Sequence, residues 1–317
     1  MTYKSPLLLR NAHLQTIYPS LFRKLDDSFL TREVIDTNDG DFISLDRASA
    51  INPGNRVIIL SHGLEGHSRR PYILGMAEAL RREGWDIIAW NFRSCGGVMN
   101  KKLRFYHSGA TEDLEAVINY AKAQGYEKIG LVGFSMGGNL SLVYLGEQKE
   151  SARSSICGAI VFSVPCDLAA SAEALARPGN SIYMKRFLRD LRKKISEKKQ
   201  LFPEMLDDSN LHKIKNFREF DDRFTAPIHG FIDAEDYWQR CSSKHFIKKI
   251  RVPTVIVNAS NDPFLAPACY PHKEVDENPL VKLETPASGG HVGFVSFNRK
   301  NFYWSEQRAA MFFKSYL

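Results

Sequence analysis

A serine between two glycines is the side chain of this sequence best placed for chemistry. Ser135 lies in a G-x-S-x-G pattern with Gly133 and Gly137, directly after the apolar run Lys128–Phe134 and before a helix-like segment that begins at Asn139. A serine in such a strand-to-helix turn is held in a strained backbone conformation that exposes its hydroxyl group. Glycines flank it because a side chain there would collide with the neighbouring strand or helix. The pattern therefore predicts that Ser135 is a nucleophile.

Serine attack on a carbonyl carbon also needs a base and an acid that orients the base. His291 follows the last predicted strand and two glycines, and we predict that it takes the Ser135 proton and later returns it to the leaving group. Asp262 follows the predicted strand Pro253–Asn258 and is the predicted acid. Asp167, which follows another predicted strand, is the alternative acid, although a helix N-cap is the favoured interpretation of that residue.

The negative charge that develops on the carbonyl oxygen needs two backbone N–H donors, which form an oxyanion hole. The first predicted donor is Met136, the residue after the nucleophile. The second is Leu64, in the S-H-G-L-E-G loop that follows the predicted strand Arg56–Leu60. His62 belongs to the same loop, so we expect it to shape the turn rather than to act as a base.

Apolar runs alternate with helical patterns along most of the chain, which predicts a mostly parallel central sheet with helices on both faces. The dipeptide Asp39-Gly40 between Phe29–Asp36 and Asp41–Arg47 predicts an antiparallel hairpin at the start of that sheet. The other predicted strands are Arg56–Leu60, Asp86–Trp90, Lys128–Phe134, Gly158–Ser163, Pro253–Asn258 and Val281–Thr285, and the predicted helices are Pro71–Arg82, Thr111–Gln124, Asn139–Gln148 and Asn301–Leu317.

One long interval, Pro165–Lys249, breaks the alternation because it is rich in charge and helix formers and holds no convincing strand. We predict a single domain over residues 1–317 with a helical cap inserted at about 166–249. Such a cap would lie over the edge of the sheet where ligands bind and would limit the access of water. Its apolar residues either line an acyl site or pack the cap onto the core; they are Phe187, Leu188, Leu191, Ile195 and Phe202.

Composition excludes several other classes of protein. The chain has 317 residues, of which 44% are hydrophobic and 25% are charged, as expected of a globular enzyme. Five cysteines without a C-x-x-C pattern argue against a disulfide framework or a structural zinc site, and the histidines lack H-E-x-x-H spacing. We therefore expect no metal, and nucleophilic attack by a serine needs no cofactor. The first apolar run is too short for a signal peptide, which predicts a cytoplasmic location.

The net charge of +7 owes much to one basic cluster, which consists of Lys185, Arg186, Arg189, Arg192, Lys193, Lys194, Lys198 and Lys199. A solvated helix face is the favoured interpretation of this cluster. Weak peripheral attraction to anionic membranes is the alternative. No aromatic-interleaved basic groove and no known nucleic-acid-binding motif accompanies this cluster, which argues against a nucleic-acid partner.

These residues together resemble the α/β-hydrolase superfamily, in which the triad also has the chain order Ser, Asp, His. Four further stretches resemble its YheT-like branch, the AB hydrolase 4 family. They are N-A-H-L-Q-T-I at Asn11–Ile17, N-F-R-S-C-G-G at Asn91–Gly97, R-F-Y-H-S-G at Arg104–Gly109 and D-D-R-F-T-A-P-I-H-G-F at Asp221–Phe231. Ala12 and Ser94 each stand where the branch has glycine, and Ser94 could alter a loop near the pocket.

The resemblance implies that Ser135, Asp262 and His291 form the charge relay and that Leu64 and Met136 donate to the oxyanion. It implies hydrolysis of carboxylic esters with short- to medium-chain acyl groups, or of glycerolipid esters, through an acyl-enzyme. An acyltransferase or thioesterase would use the same triad, and a non-catalytic binding protein on a hydrolase fold is a third alternative. His13 and His107 lie within the branch signatures, and we expect structural hydrogen bonds for both.

Overall fold

The computed structural model describes residues 2–52, 54–299 and 301–316. Eight strands form one sheet with the order β1-β2-β4-β3-β5-β6-β7-β8. The strands are β1 Thr31–Asp36, β2 Phe42–Ala48, β3 Arg56–Ser61, β4 Asp86–Trp90, β5 Lys128–Phe134, β6 Ile156–Phe162, β7 Thr254–Val257 and β8 Val281–Glu284. β2 pairs antiparallel with both β1 and β4, and all other neighbouring pairs are parallel.

The helices connect the parallel strands and cover the sheet. They are α1 Ala12–Phe22, α2 Pro71–Arg82, α3 Thr111–Ala123, α4 Met136–Gln148, α5 Leu168–Ala176, α6 Ser181–Leu201, α7 Phe217–Phe220, α8 Ala226–His229, α9 Ala234–Cys241, α10 His272–Asp276 and α11 Trp304–Phe313. A π-helical turn, Asp221–Thr225, joins α7 to α8.

Both faces of the sheet are buried because its central strands are apolar at nearly every position. In β3, Ile59 packs into the cluster on one side of the sheet, and Ile58 and Leu60 pack into the cluster on the other side. Alternate residues of a strand point to opposite faces, so an uninterrupted apolar strand needs a helix layer on each side. The predicted fold, a mostly parallel sheet with helices on both faces, is confirmed.

Element boundaries differ from the predictions by a few residues. The helix predicted to begin at Asn139 begins at Met136, because the turn that contains Ser135 passes directly into it. The predicted C-terminal helix Asn301–Leu317 is shorter, with α11 followed by a 3-10 turn, and Leu317 lies outside the described residues. The predicted hairpin is present, and Gly40 occupies its turn with a φ of 76°.

Residues 163–253, between β6 and β7, are all described, and their regular elements are helices and helical turns, from α5 to the 3-10 turn Ile247–Lys249. The longest of these helices, α6, carries the basic cluster. The predicted solvated face is correct for Lys185, Arg186 and Lys193 but wrong for Lys194 and Lys198, whose side chains are buried. Lys194 and Lys198 are one helical turn apart, so both extend from the same side of α6 toward the core.

Candidate active site

Ser135 occupies the turn between β5 and α4. Its backbone dihedral angles are φ 52° and ψ −120°, a strained conformation for a residue with a side chain. The flanking positions need glycine because the backbone is closely packed there. A Cβ atom at Gly133 would lie 2.5 Å from the carbonyl oxygen of Gly137. A Cβ atom at Gly137 would lie 2.4 Å from the carbonyl oxygen of His62. The backbone around Ser135 is thus packed on both sides, and the hydroxyl group faces a cavity.

Three of the predicted site residues form one hydrogen-bonded chain. The Nε2 atom of His291 lies 3.0 Å from Ser135 Oγ, and its Nδ1 atom lies 2.9 Å from one Asp262 carboxylate oxygen and 3.1 Å from the other. The Asp262 side chain is fully buried. An Nδ1–H that donates to the carboxylate leaves Nε2 free to accept the Ser135 proton. The arrangement can therefore activate a serine nucleophile.

Neighbouring groups fix the orientations of His291 and Asp262. The backbone N–H of Phe264 donates to Asp262 Oδ1 at 2.9 Å, and the Phe264 ring stacks on the imidazole with 4.0 Å between ring centroids. The backbone N–H of His291 donates to Thr16 Oγ1 at 2.9 Å, so α1 anchors the loop that carries the base. Sequence reasoning missed both Phe264 and Thr16, although Thr16 lies within the Asn11–Ile17 signature.

The alternative acid, Asp167, lies elsewhere. Its carboxylate accepts a hydrogen bond from the backbone N–H of Ala170 at 3.0 Å and so caps the N-terminus of α5. It also forms an ion pair with Lys244. The structure does not bring Asp167 to His291, and the favoured interpretation of Asp167 as an N-cap agrees with this geometry.

Backbone amides of the loop after β3 are nearly all occupied. Gly63 N–H donates to the Tyr72 hydroxyl, Glu65 N–H donates to the Tyr106 hydroxyl, and Gly66 N–H donates to the Gly63 carbonyl. Within the described part of the chain, the amide of Leu64 donates no hydrogen bond, nor does that of Met136. Both residues line the cavity that Ser135 faces. Two free N–H groups beside a nucleophile are what an oxyanion hole requires.

The imidazole ring of His62 stabilises the same loop through two hydrogen bonds. Its Nε2 atom accepts a hydrogen bond from the backbone N–H of Phe92 at 3.1 Å, so the proton is on Nδ1, which donates to the Gly63 carbonyl at 2.7 Å. Burial lowers the pKa of His62 to about 3, and the ring is therefore neutral at physiological pH. These contacts agree with the prediction that His62 shapes the turn.

A buried ion pair connects this loop to α6. Lys194 Nζ lies 2.7 Å from Glu65 Oε1, and both side chains are about nine-tenths buried. The Tyr106 hydroxyl also donates to the Glu65 carboxylate, and Lys194 contacts Cys95 Sγ at 3.2 Å. Glu65 itself has a positive φ of 51° and directly follows Leu64. The sequence offered no signal for this pair, because its members are 129 positions apart.

The cavity in front of Ser135 is mostly apolar. It contains about 1020 Å³ of space free of atoms, with open solvent at its mouth included. Of the apolar cap residues named as candidates, Phe187, Leu191 and Ile195 line this cavity, whereas Leu188 and Phe202 do not. Asp221 lines another part of it, and burial raises the pKa of that carboxyl group to about 7.

The two histidines in the branch signatures have structural contacts. The Nδ1 atom of His13 lies 3.0 Å from the Tyr183 hydroxyl, and the two rings stack. The Nδ1 atom of His107 accepts a hydrogen bond from the backbone N–H of Gly109 at 3.2 Å. Within residues 2–52, 54–299 and 301–316, no three His, Cys, Asp or Glu side chains form a group that could hold a metal ion. No helix of these residues has the length and apolar character needed to cross a bilayer.

Comparisons with known proteins agree with this fold. A family model described as the alpha/beta hydrolase fold matches residues 56–297. The chain is 33% identical over 315 residues to the YheT protein of Escherichia coli, and the alignment covers 97% of this chain and 91% of that protein. It is 34% identical over 273 residues to the Mus musculus protein Phospholipase ABHD3, and that alignment covers 83% of this chain and 66% of the mouse protein. The solved structure of Pyrococcus furiosus esterase Pf2001 is similar in fold, with a TM-score of 0.60, 18% identity and coverage of 94% of this chain and 95% of that chain.

Proposed function

Because the chain belongs to the α/β-hydrolase family, and within it to the YheT-like branch, we propose that it is a serine hydrolase of carboxylic esters. The observation that carries this proposal is the hydrogen-bonded chain from Ser135 Oγ through His291 to the buried Asp262. The mouse relative is named a phospholipase, which supports ester hydrolysis as the reaction. No step of the proposed reaction needs a cofactor.

In the first step, Ser135 Oγ attacks the ester carbonyl carbon while His291 Nε2 takes the hydroxyl proton. The imidazolium that forms is stabilised by the Asp262 carboxylate, which already receives the Nδ1–H hydrogen bond. The carbonyl oxygen becomes an oxyanion and accepts hydrogen bonds from the amides of Leu64 and Met136. Fixed donors are effective here because they need no reorganisation as the charge develops.

In the following steps the tetrahedral intermediate collapses. His291 gives its proton to the departing alkoxide, the C–O bond to the alcohol breaks, and an acyl group remains on Ser135. A water molecule then attacks the acyl carbon, with His291 again as the base. The acid leaves, Ser135 regains its proton, and the free enzyme is restored.

The cavity supports an apolar acyl group as the part of the substrate that is bound. Phe187, Leu191 and Ile195 of α6 supply an apolar wall, and Leu64 and Met136 lie at the reacting end. Short- to medium-chain acyl esters and glycerolipid esters are the substrate classes that suit such a wall. As part of this proposal, residues of about 166–249 form a cap on one domain of residues 1–317, and the protein acts in the cytoplasm.

The test is hydrolysis of p-nitrophenyl esters with acyl chains from acetate to palmitate, by the native chain and by Ser135→Ala. We expect activity with a clear optimum in chain length, and a loss of at least about a thousandfold in kcat in the variant. Activity that is unchanged in Ser135→Ala would refute Ser135 as the nucleophile. Activity absent from both proteins against every ester would count against ester hydrolysis.

A further inference from the structure

Helix α1 exposes several apolar side chains to solvent, unlike an ordinary surface helix. Its buried residues are Gln15 and Pro19, whereas Leu14, Leu21 and Phe22 are 52%, 64% and 66% exposed. A helix on the surface of a globular protein normally turns its apolar residues toward the core. Contiguous exposed apolar surface on a folded protein marks a site of interaction.

The exposed apolar surface continues beyond α1. The Tyr18 ring contacts the ring of Phe22 at 5.2 Å and that of Phe297 at 5.9 Å, and Phe297 is itself exposed. The 3-10 turn Leu7–Leu9 packs through Leu9 into the cluster that includes Tyr18. Leu7 and Leu8 in that turn are exposed as well. We call this surface the N-terminal apolar face; it consists of Leu7, Leu8, Leu14, Tyr18, Leu21, Phe22 and Phe297.

Positive charge borders the N-terminal apolar face. Residues 2–24 contain no Asp or Glu, and Lys4, Arg10 and Lys24 are exposed among them. The contact between His13 and Tyr183 brings the first turn of α6 beside α1. The next turn of α6 adds Lys185 and Arg186, which are exposed and form no ion pair within the described part of the chain. The nearest acidic residue of α6, Asp190, pairs with Arg189 instead.

The same face borders the candidate active site. Thr16 of α1 accepts the hydrogen bond from the His291 backbone, and the Tyr183 ring packs on Phe264, the residue that stacks on His291. α6 therefore contributes to the basic border with Lys185 and Arg186 and to the cavity wall with later residues. A partner that contacts both α1 and the start of α6 would therefore lie next to the cavity that Ser135 faces.

We propose that the N-terminal apolar face and its basic border dock on an anionic lipid bilayer. Exposed apolar side chains that enter the acyl boundary, combined with Lys and Arg at the headgroups, are the two contributions that hold peripheral proteins on membranes. A second copy of the chain suits this face less well, because a twofold contact would bring its like charges together. Docking would present the cavity to ester lipids, and this consequence alone rests on the proposed function.

Binding is measured by co-flotation of the full chain with vesicles of phosphatidylcholine, with and without phosphatidylglycerol. Every protein carries Ser135→Ala, so the vesicles are not consumed and the result does not depend on whether the chain is an esterase. We expect binding to the anionic vesicles that weakens as salt is raised. Leu14→Ser/Leu21→Ser should weaken it at least about tenfold, and Lys185→Gln/Arg186→Gln should weaken it by a similar factor.

Val34→Ser/Ile232→Ser is the matched control, since it removes two exposed apolar residues outside the face. Its binding should equal that of the parent protein, and thermal unfolding should show that all variants are folded. The proposal is overturned if the parent does not float with anionic vesicles at low salt, or if the control weakens binding as much as Leu14→Ser/Leu21→Ser. It is also overturned if sedimentation shows a dimer that Leu14→Ser/Leu21→Ser dissociates.

Discussion

The assignment of Asp262 as the acid is tested by Asp262→Asn, with Asp167→Asn as its matched control. The Phe264 N–H donates to Asp262 Oδ1, so the amide oxygen of asparagine should take that position and turn its NH₂ group toward His291. Nδ1 would then have to accept a hydrogen bond, and the ring proton would move to Nε2. An Nε2–H cannot take the proton of Ser135.

The opposite orientation of the asparagine amide is also unfavourable. It would place two donors, the NH₂ group and the Phe264 N–H, at the 2.9 Å separation that a hydrogen bond occupies now. An unpaired buried donor costs about 1–3 kcal/mol. Either orientation also removes the negative charge that faces the imidazolium in the transition state. We therefore expect kcat to fall by about 10³–10⁴, equivalent to about 4–5.5 kcal/mol, with KM little changed.

Steady-state hydrolysis of p-nitrophenyl butyrate measures both constants, and thermal unfolding verifies that each variant is folded. Asp167→Asn should keep kcat within about threefold, because asparagine caps a helix as well as aspartate does and the Asp167–Lys244 ion pair includes none of the side chains bonded to His291. The assignment is wrong if Asp262→Asn keeps kcat within about tenfold of the native chain while Asp167→Asn abolishes activity.

Two further predictions concern stability. Gly137→Ala should lower the free energy of unfolding by about 3 kcal/mol, because its Cβ would press on the backbone of His62. Gly179→Ala should change the free energy of unfolding little, because open space surrounds its Cβ, and thermal melts compare the two variants. For Asp221, whose pKa burial raises to about 7, the native chain should lose stability as pH rises from about 4 to 7, since only the folded state holds the proton there. Urea unfolding at acidic and at alkaline pH measures the free energy of unfolding of Asp221→Asn relative to the native chain. This difference should shift in favour of the variant by up to about 4 kcal/mol at the higher pH, and a difference that is the same at both pH values would contradict this reasoning.

Local sequence patterns were sufficient to predict the sheet and the residues that its edge brings together. The apolar strands Lys128–Phe134 and Asp86–Trp90 have the predicted bounds, because each is buried on both faces and ends where polar or glycine residues begin. Parallel strands place their carboxyl ends at one edge, so residues that follow different strands, such as Ser135 and Asp262, could be expected to approach each other.

Contacts between distant elements could not be predicted in this way. The charge pattern of α6 did not distinguish Lys194 and Lys198 from their solvated neighbours, because burial depends on what the helix packs against. Lys198 donates to the backbone carbonyls of Asn100 and Lys102, which are far away in sequence. Likewise, the leucines of α1 would normally predict a buried face, and only the tertiary structure shows them turned outward.

The Glu65–Lys194 ion pair sets a limit on how the cavity can widen. Lys194 lies on the wall formed by α6, and Glu65 belongs to the loop after β3, so outward movement of α6 would pull on that loop or leave two charges unpaired in the interior. Leaving one partner of a buried pair uncompensated costs about 3–5 kcal/mol. A swinging gate is therefore an unfavourable way to admit a bulky substrate. Under the proposed function, we expect the reach of the acyl site to be set instead by the side chains at Leu191 and Ile195, which line the cavity wall.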